Sequence, residues 1–245
     1  MQIRYLIAME SSSKIVLIEK IERQLITIKT DLVNLSFVIE AMQDKNIQKI
    51  LQHAFVLTAY GYLEGFYKNT LTEYLHYIQK YKETHKNSQL STTLYYFYRF
   101  SEKSKRNREF GKNVVAYFKK IFRDKKIIQQ DKSADSDLTL SSFVINCNNN
   151  MKYDILLLLL HLFSFNLKNY EEFEDINKKK YSTESYLNDF VDDRNALAHG
   201  EIGCLLGTFN LRNDYKQYKD LVVYLSDCLK NEITEILLND SYIFV

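Results

Sequence analysis

The sequence has no proline and only six glycines among its 245 residues. Turn-rich β proteins depend on both residues, and proline interrupts helices, so this composition argues against a β-sandwich or barrel and favours long, unbroken helices. Cysteine is also scarce. The three cysteines, Cys147, Cys204 and Cys228, are odd in number and widely spaced. They offer no zinc-ligand pattern and suit a reducing cytosol.

Apolar runs long enough to cross a membrane are missing as well. The longest run, ILLLLLHLFSF (Ile155–Phe165), contains a histidine and is well short of the roughly 20 residues that span a bilayer. The first residues lack the basic region, apolar stretch and cleavage site of a secretory leader. The prediction is a cytoplasmic protein that does not use a membrane, with this run as a buried helix.

Hydrophobic periodicity predicts two long N-terminal helices. From Ile18 to Met42, apolar residues alternate at spacings of three and four, which makes a heptad seam of more than three repeats. The seam is either a coiled coil between chains or the inner face of a long antiparallel helix pair, and the size of the chain favours the second. A second helix is predicted over about 46–81, with Leu51, Ala54, Phe55, Thr58, Tyr62 and Phe66 on its inner side.

Two of the six glycines, Gly61 and Gly65, lie one turn apart in the second helix, within the stretch YGYLEGFYKN. Each glycine in a helix interior costs about 1 kcal/mol relative to alanine, so both need a reason. One explanation is close packing of the backbone against a neighbouring element. The other is that Glu64, between the glycines, is held close to a cationic partner.

The rest of the chain extends the helical bundle. Residues at about 82–150 form a tyrosine-rich and basic elaboration that includes LSSFVINC, a stretch expected to run extended. Further helices are predicted at about 151–166, 182–199 and 213–238, and no linker or repeat divides the chain. The predicted fold is one all-α domain over 1–245, an antiparallel helical bundle with long N-terminal helices and a helical insertion.

The elaboration carries a concentrated positive charge. Between Arg99 and Lys126, eleven lysines and arginines stand against three acidic residues, a local charge of +8 in a chain of overall formal charge +2. Aromatic residues are interleaved with these cations, as in surfaces that bind single-stranded nucleic acid. An amphipathic helix with a solvated cationic face has the same pattern. The candidate RNA-binding residues are Lys105, Arg106, Arg108, Lys112, Lys119 and Lys120.

The most informative stretch is RNALAHG, which closes a predicted amphipathic helix with Ser182 as N-cap and Gly200 as C-terminal stop. At about 100° per residue, Arg194 falls in the middle of an apolar stripe, where a guanidinium is costly unless a carboxylate or phosphate meets it. The stripe consists of Leu187, Phe190, Val191, Leu197 and Ala198. A second, polar face consists of Asn188, Asp192, Asn195 and His199.

Several familiar catalytic motifs are absent from the sequence. It has no glycine-rich phosphate loop, no His-Glu-x-x-His helix and no Gly-x-Ser-x-Gly elbow. Its five histidines are too scattered to form a metal cluster, so neither a metal nor a cofactor is expected. Arg194 and His199 remain as the candidate chemistry.

Through Arg194, Asn195 and His199, RNALAHG resembles the motif of the HEPN superfamily (higher eukaryotes and prokaryotes nucleotide-binding domains). YGYLEGFYKN and DFVDDRNALAHGEIG are also similar to stand-alone prokaryotic HEPN proteins, so the resemblance covers most of the chain. It implies an α-helical bundle, a homodimer and metal-independent endoribonuclease activity, commonly in toxin–antitoxin or antiviral systems. RNA is then the expected substrate, and an antitoxin protein is an expected partner.

The resemblance makes Arg194, Asn195 and His199 the catalytic candidates. Arg194 is expected to bind the scissile phosphate, with Glu64 or Asp193 orienting it, and His199 to act as acid or base. Asn195 is expected to orient His199 or to contact the sugar-phosphate. Residues five apart point about 140° from each other on a straight helix, which favours a two-fold axis beside this helix and a groove shared by two copies.

Two other functions fit the same sequence. A non-catalytic HEPN module that binds nucleotide or protein can use Arg194 to pair with a carboxylate and His199 to cap helix carbonyls. A helical scaffold built on the heptad seam accounts for the first helix and leaves RNALAHG without a use.

Overall fold

The computed structural model describes residues 2–84, 89–90, 128–130, 143–145, 150–163, 165–200, 209–239 and 243–244. Most of these residues are helical, which confirms the all-α prediction. The helices are α1 (Gln2–Ala41), α2 (Lys45–Thr84), α3 (Tyr153–Leu162), α4 (Thr183–Ala198) and α5 (Tyr215–Leu238), with a 3-10 turn at Leu167–Tyr170.

The first two helices form an antiparallel pair joined by three residues, 42–44. Asp44 begins α2, because its carboxylate accepts hydrogen bonds from the backbone N–H groups of Asn46 (2.8 Å) and Ile47 (3.2 Å). Within the predicted heptad seam, Ile21, Leu25, Ile28, Leu32 and Ile39 are buried. The seam is therefore an inner face of a helix pair within one chain, as the sequence indicated.

Helix α5 completes the central layer by packing against α1 and α2, and α4 packs across α2 and α5. A capping box starts α5, since the side chain of Asp214 accepts from the backbone of Gln217 while the side chain of Gln217 accepts from that of Asp214. The Tyr67 hydroxyl on α2 donates to the Leu225 carbonyl oxygen at 2.9 Å. These contacts fix the spacing of the helices that carry the candidate site.

The described residues also include three short antiparallel strand pairs. They are β1 (Gln89–Leu90) with β6 (Ile243–Phe244), β2 (Ile128–Gln130) with β3 (Phe143–Ile145), and β4 (Glu172–Glu174) with β5 (Lys180–Ser182). Strand β3 confirms that LSSFVINC includes extended chain. The β4–β5 hairpin was not predicted; Asp175 closes its turn by accepting from the backbone N–H groups of Asn177 and Lys179, both at 2.9 Å.

The predicted inner face of α2 is wrong at two positions. Ala54 and Thr58 are exposed, because the buried face is rotated toward Phe55, Ala59 and Leu63. The close-packing explanation for the glycines also fails within the described part of the chain. A Cβ added at Gly61 or Gly65 meets no described atom within 4 Å.

In the part of the chain that the structure describes, no helix has both the length and the hydropathy needed to cross a bilayer.

Candidate active site

Helix α4 carries the candidate residues and has the ends that the sequence predicted. Ser182 is its N-cap, and its hydroxyl accepts a hydrogen bond from the Ser185 N–H. Gly200 follows the last turn with a φ of +64°, the left-handed conformation that favours glycine. Of the predicted apolar stripe, Leu187, Phe190 and Val191 are buried, whereas Ala198 is exposed.

Arg194 lies half-buried over an aromatic ring of α2. Its guanidinium carbon is 4.5 Å from the centroid of the Tyr60 ring, a cation–π contact of a kind that contributes roughly 0.5–2 kcal/mol. Tyr60 is itself held edge-on by Phe190 of α4, with ring centroids 5.8 Å apart. The apolar stripe therefore accommodates the Arg194 charge with an aromatic platform supplied by another helix.

Asn195 fixes the direction in which the Arg194 guanidinium points. The Asn195 side-chain oxygen accepts from Arg194 Nη1 at 2.9 Å, while its amide nitrogen donates to the Asn150 side-chain oxygen at 3.2 Å. Because both ends of the amide are engaged, its orientation is set from both sides. Asn195 is therefore placed to position Arg194.

The polar face of α4 docks the segment at 150–153. Asn188 accepts from the Tyr153 N–H at 3.1 Å, and Asp192 pairs with Lys152 at 2.5 Å. From the other side, the Tyr60 hydroxyl accepts from the Met151 N–H at 2.7 Å. The polar stripe that the sequence revealed is thus largely a structural contact, and it seats this segment between α2 and α4.

Glu64 lies one turn after Tyr60 on α2 and interacts with its hydroxyl. Burial raises the pKa of Tyr60, and the negative charge of Glu64 together with its hydrogen bond to the hydroxyl adds to the rise, whereas the positive charge of Arg194 opposes it. Tyr60 is consequently a neutral phenol at physiological pH. Glu64, Tyr60, Arg194 and Asn195 form one connected group, and we call it the Arg194 cluster.

Asp193 points away from this cluster into the protein core. One of its carboxylate oxygens accepts from the Tyr218 hydroxyl at 2.6 Å and from the Arg212 N–H at 2.8 Å, and the other lies 3.8 Å from Arg212 Nε. Its side chain is fully buried, and burial raises the pKa of its carboxyl. Asp193 thereby ties α4 to α5 and to the chain that enters α5.

His199 occupies the C-cap of α4, and its side chain is exposed to solvent. Its backbone N–H donates to the Asn195 carbonyl oxygen at 3.0 Å, and the Gly200 N–H donates to the Leu197 carbonyl oxygen at 3.3 Å. Five residues separate it from Arg194, an axial rise of about 7.5 Å. Among the described contacts no hydrogen bond joins the side chains of Arg194 and His199.

The six predicted RNA-binding residues lie outside the described residues; they are Lys105, Arg106, Arg108, Lys112, Lys119 and Lys120. No group of histidine, cysteine or acidic side chains within the described ranges has the arrangement of a metal site.

The sequence also matches the profile of a protein family. The profile described as RiboL-PSP-HEPN matches residues 17–235, which include every residue of the Arg194 cluster together with Asp193 and His199. The chain belongs to the RiboL-PSP-HEPN family. No curated protein matches this HEPN chain, and neither does any solved structure.

Family membership gives the cluster a general chemical context. HEPN domains are generally ribonucleases or nucleotide-binding domains, and both activities require recognition of phosphate. A planar guanidinium held on an aromatic ring and oriented by an amide is suited to that task, because its fork of N–H groups is held in a fixed direction.

Sequence reasoning missed Tyr60, Asn150 and Arg212. Tyr60 carries a usable signal, because it lies four residues before Glu64 and therefore on a neighbouring part of the same helix face. Asn150 and Arg212 lie on connecting segments, where helical periodicity gives no information about tertiary contacts.

Proposed function

We propose that this HEPN protein is a metal-independent endoribonuclease that acts as a toxin or antiviral effector. The observation that carries the proposal is the fixed Arg194 guanidinium on Tyr60, five residues before an exposed imidazole at His199. The pair supplies a phosphate ligand and a proton-transfer group, which are the two functions that RNA transesterification needs from a protein.

The proposed reaction uses the nucleophile that RNA itself carries. The 2′-oxygen attacks the adjacent phosphorus and gives up its proton to a base, while the bond from phosphorus to the 5′-oxygen breaks and that oxygen gains a proton. The products are a 2′,3′-cyclic phosphate and a 5′-hydroxyl. Arg194 stabilises the charge on the crowded phosphate, and His199 transfers a proton as acid or base.

Asn195 and Glu64 act through other groups. Asn195 holds Arg194 by its side-chain oxygen, and Glu64 supports the Tyr60 platform through the tyrosine hydroxyl. Their proposed role is positioning, since such supports keep a phosphate ligand in place without rearrangement during the reaction.

A second copy of the chain completes the proposed site. Arg194 and His199 point about 140° apart on one helix, so a groove that uses both is more readily formed by two chains around a two-fold axis. Such an axis lets the Arg194 cluster of one subunit and His199 of its partner subunit face the same strand of RNA.

The outer face of α2 offers a surface for that second copy. Its N-terminal part exposes Ile47 (45%), Ile50 (54%) and Leu57 (39%), and Gly61 and Gly65 follow near the middle of the helix, where an added Cβ meets no described atom within 4 Å. We call this set the α2 outer stripe. Two-fold packing of antiparallel helices sets the bulky half of one stripe against the glycine half of the other, which makes the stripe self-complementary.

The stripe is continuous with the Arg194 cluster. Counted at 100° per residue, Glu64 lies about 40° and Gly61 about 100° around α2 from Tyr60. A helix seated on the stripe therefore runs beside the cluster, which gives a reason for two glycines at which an added Cβ would meet no described atom within 4 Å.

Charging the α2 outer stripe is expected to separate the subunits and abolish cleavage together. The double variant Ile50→Glu/Leu57→Glu places two carboxylates on a self-apposed surface, where like charges repel and desolvation is costly. Sedimentation equilibrium should report a monomer with an unchanged helical circular-dichroism spectrum, and RNA cleavage should fall at least about 100-fold.

Ile176→Glu is the matched control, because Ile176 is 86% exposed at the tip of the β4–β5 hairpin, away from the stripe. It should leave both the assembly and the activity unchanged. A charged-stripe double variant that remains a fully active dimer would show that the subunits meet elsewhere.

Cleavage of mixed RNA by the purified protein in EDTA tests the activity itself. The expected products carry 2′,3′-cyclic phosphate ends. RNA binding without cleavage would assign the protein to the non-catalytic HEPN modules. If the protein neither binds nor cleaves RNA, a scaffold role remains. Growth inhibition on expression, relieved by His199→Ala, is the corresponding result for a toxin.

A further inference from the structure

A polar cleft opens at the N-terminal end of α2, beside the chain that enters α5. Lys49, Gln52 and His53 form one wall, and residues 210–215 with Gln217 form the other, around a volume of about 380 Å³. Ligand pockets typically measure about 300–1,000 Å³, so this space fits one nucleotide. We call it the Lys49 cleft.

The cleft lies on the same side of α2 as the Arg194 cluster. His53 and Tyr60 are seven residues apart, which places them on one helix face about 10.5 Å apart along the axis. Arg212 links the two regions, because it lines the cleft and pairs with Asp192 at 3.2 Å and Asp193 at 3.8 Å, the residues just before Arg194. A strand bound at Arg194 reaches the cleft within its next few nucleotides.

The charged residues of the cleft lining are Lys49, Arg212 and Asp214, and Lys49 is the candidate phosphate ligand among them. The Asp214 carboxylate is engaged as the N-cap of α5, where it accepts from the Lys216 N–H at 2.9 Å. Arg212 is neutralised by the two aspartates. Lys49 donates to the neutral side-chain oxygen of Asn210 at 2.9 Å, and within the described ranges no carboxylate lies within ion-pair distance of it. Its ammonium group has three donors, so N–H groups remain for an anion.

The other lining groups suit a nucleobase. His53 Nε2 lies 3.2 Å from the Phe209 carbonyl oxygen, to which it donates, and burial lowers the pKa of His53, which keeps the ring neutral at physiological pH. Gln52 and Asn210 present side-chain amides, which offer both donors and acceptors to a base edge. Apart from the paired Arg212 and the Asp214 carboxylate that caps α5, the side chains beside Lys49 are uncharged, and such a lining matches a nucleotide better than a multiply charged anion.

We propose that the Lys49 cleft binds one nucleotide of single-stranded RNA that flanks the scissile phosphate, with Lys49 on the phosphate and the amide side chains on the base edge. This inference rests on the proposed ribonuclease function. It makes the cleft a substrate-length sensor, since only strands that extend past the cleavage position fill it.

Binding of an uncleavable RNA tests the cleft without relying on catalysis. The probe is a fluorescent 2′-O-methyl oligoribonucleotide of mixed sequence, titrated with the full chain and followed by anisotropy at several salt concentrations. Lys49→Gln is expected to raise Kd about fivefold and to reduce the slope of log Kd against log salt by about 0.7, the value for one single-strand phosphate contact.

Lys45→Gln is the matched control, because Lys45 is exposed one turn earlier on α2 and is not part of the cleft lining. It should change Kd less than twofold. Equal effects of the two substitutions would attribute the binding to diffuse charge, and unchanged Kd and slope in Lys49→Gln would remove the cleft from the RNA path; both results overturn the proposal.

Two further arms separate the cleft from the nuclease. His199→Ala should bind the probe with the parental Kd, because His199 is not part of the cleft. If the wild-type protein binds RNA through Lys49 but never cleaves it, the nuclease proposal fails while the cleft remains an RNA-binding site. In cleavage assays Lys49→Gln should raise KM for long RNA but not for a dinucleotide, with kcat unchanged. Displacement of the probe by free mononucleotides, lost in Lys49→Gln, would instead identify a site for soluble nucleotides and overturn the proposal.

Discussion

Arg194→Ala is expected to lower kcat/KM for RNA cleavage by about 10²- to 10³-fold, the usual effect of removing one ligand of a developing anion. The substitution removes the guanidinium that Tyr60 and Asn195 hold in place. Arg194→Lys should recover little of the loss, because an ammonium group cannot grip two phosphate oxygens or lie flat on the tyrosine ring. Single-turnover cleavage of a labelled RNA in EDTA measures both variants.

His199→Ala tests the second half of the same site and should lower cleavage by about 10²- to 10⁴-fold through loss of proton transfer. Arg23→Ala is the control for general loss of positive charge, because Arg23 is exposed on α1 and pairs with Glu19; its activity should be parental. A double variant, Arg194→Ala/His199→Ala, that cleaves RNA as fast as the parent would refute the site.

Asp193→Ala is expected to lower the free energy of unfolding by about 3 kcal/mol. The substitution leaves the buried Tyr218 hydroxyl and the Arg212 N–H without their acceptor, and each unsatisfied buried group costs about 1–3 kcal/mol. Denaturant unfolding followed by circular dichroism gives the value. Asp189→Ala is the control on the same helix: that half-buried carboxylate accepts from Asn213 at 3.0 Å, and its loss should cost at most about 1 kcal/mol.

The pH dependence of Asp193→Asn provides an independent check. Burial raises the folded-state pKa of Asp193 above its ordinary value of 3.8, so the folded protein binds this proton more tightly than the unfolded chain does. The resulting stabilisation is present below 3.8 and is lost as the pH rises through the folded-state pKa. Wild type should therefore lose stability relative to Asp193→Asn as the pH rises across this window, and a wild type that gains stability relative to Asp193→Asn over the same window would contradict the assignment.

Much of the fold was predictable because helical periodicity records burial directly. The seam in α1 and the caps of α4 at Ser182 and Gly200 all depend on local sequence. The hairpin of β4 and β5 was missed because its turn is closed by the Asp175 side chain in a segment without alternating hydrophobicity. Ala54 and Thr58 were wrongly assigned to the inner face of α2. The buried face of this helix is wide, so the sequence locates its centre only to within one residue.

The candidate site was predictable only in part, for a different reason. The motif in RNALAHG selected Arg194, Asn195 and His199, yet the partners of Arg194 come from α2 and from the segment at 150–153. Asp193 shows the limit most clearly: adjacent helical residues point about 100° apart, so it enters the core while Arg194 lies on Tyr60. Sequence spacing gives directions around a helix and says little about which element lies there.

The short connection between α1 and α2 has a consequence for protein synthesis. These two helices make contacts that are close in sequence, which form early and on the ribosome as the chain emerges. Tyr60 and Glu64 are therefore in place while Arg194 and His199 are still untranslated. A nascent chain of this protein can therefore carry the docking platform for the cation well before the residue that docks there has been synthesised.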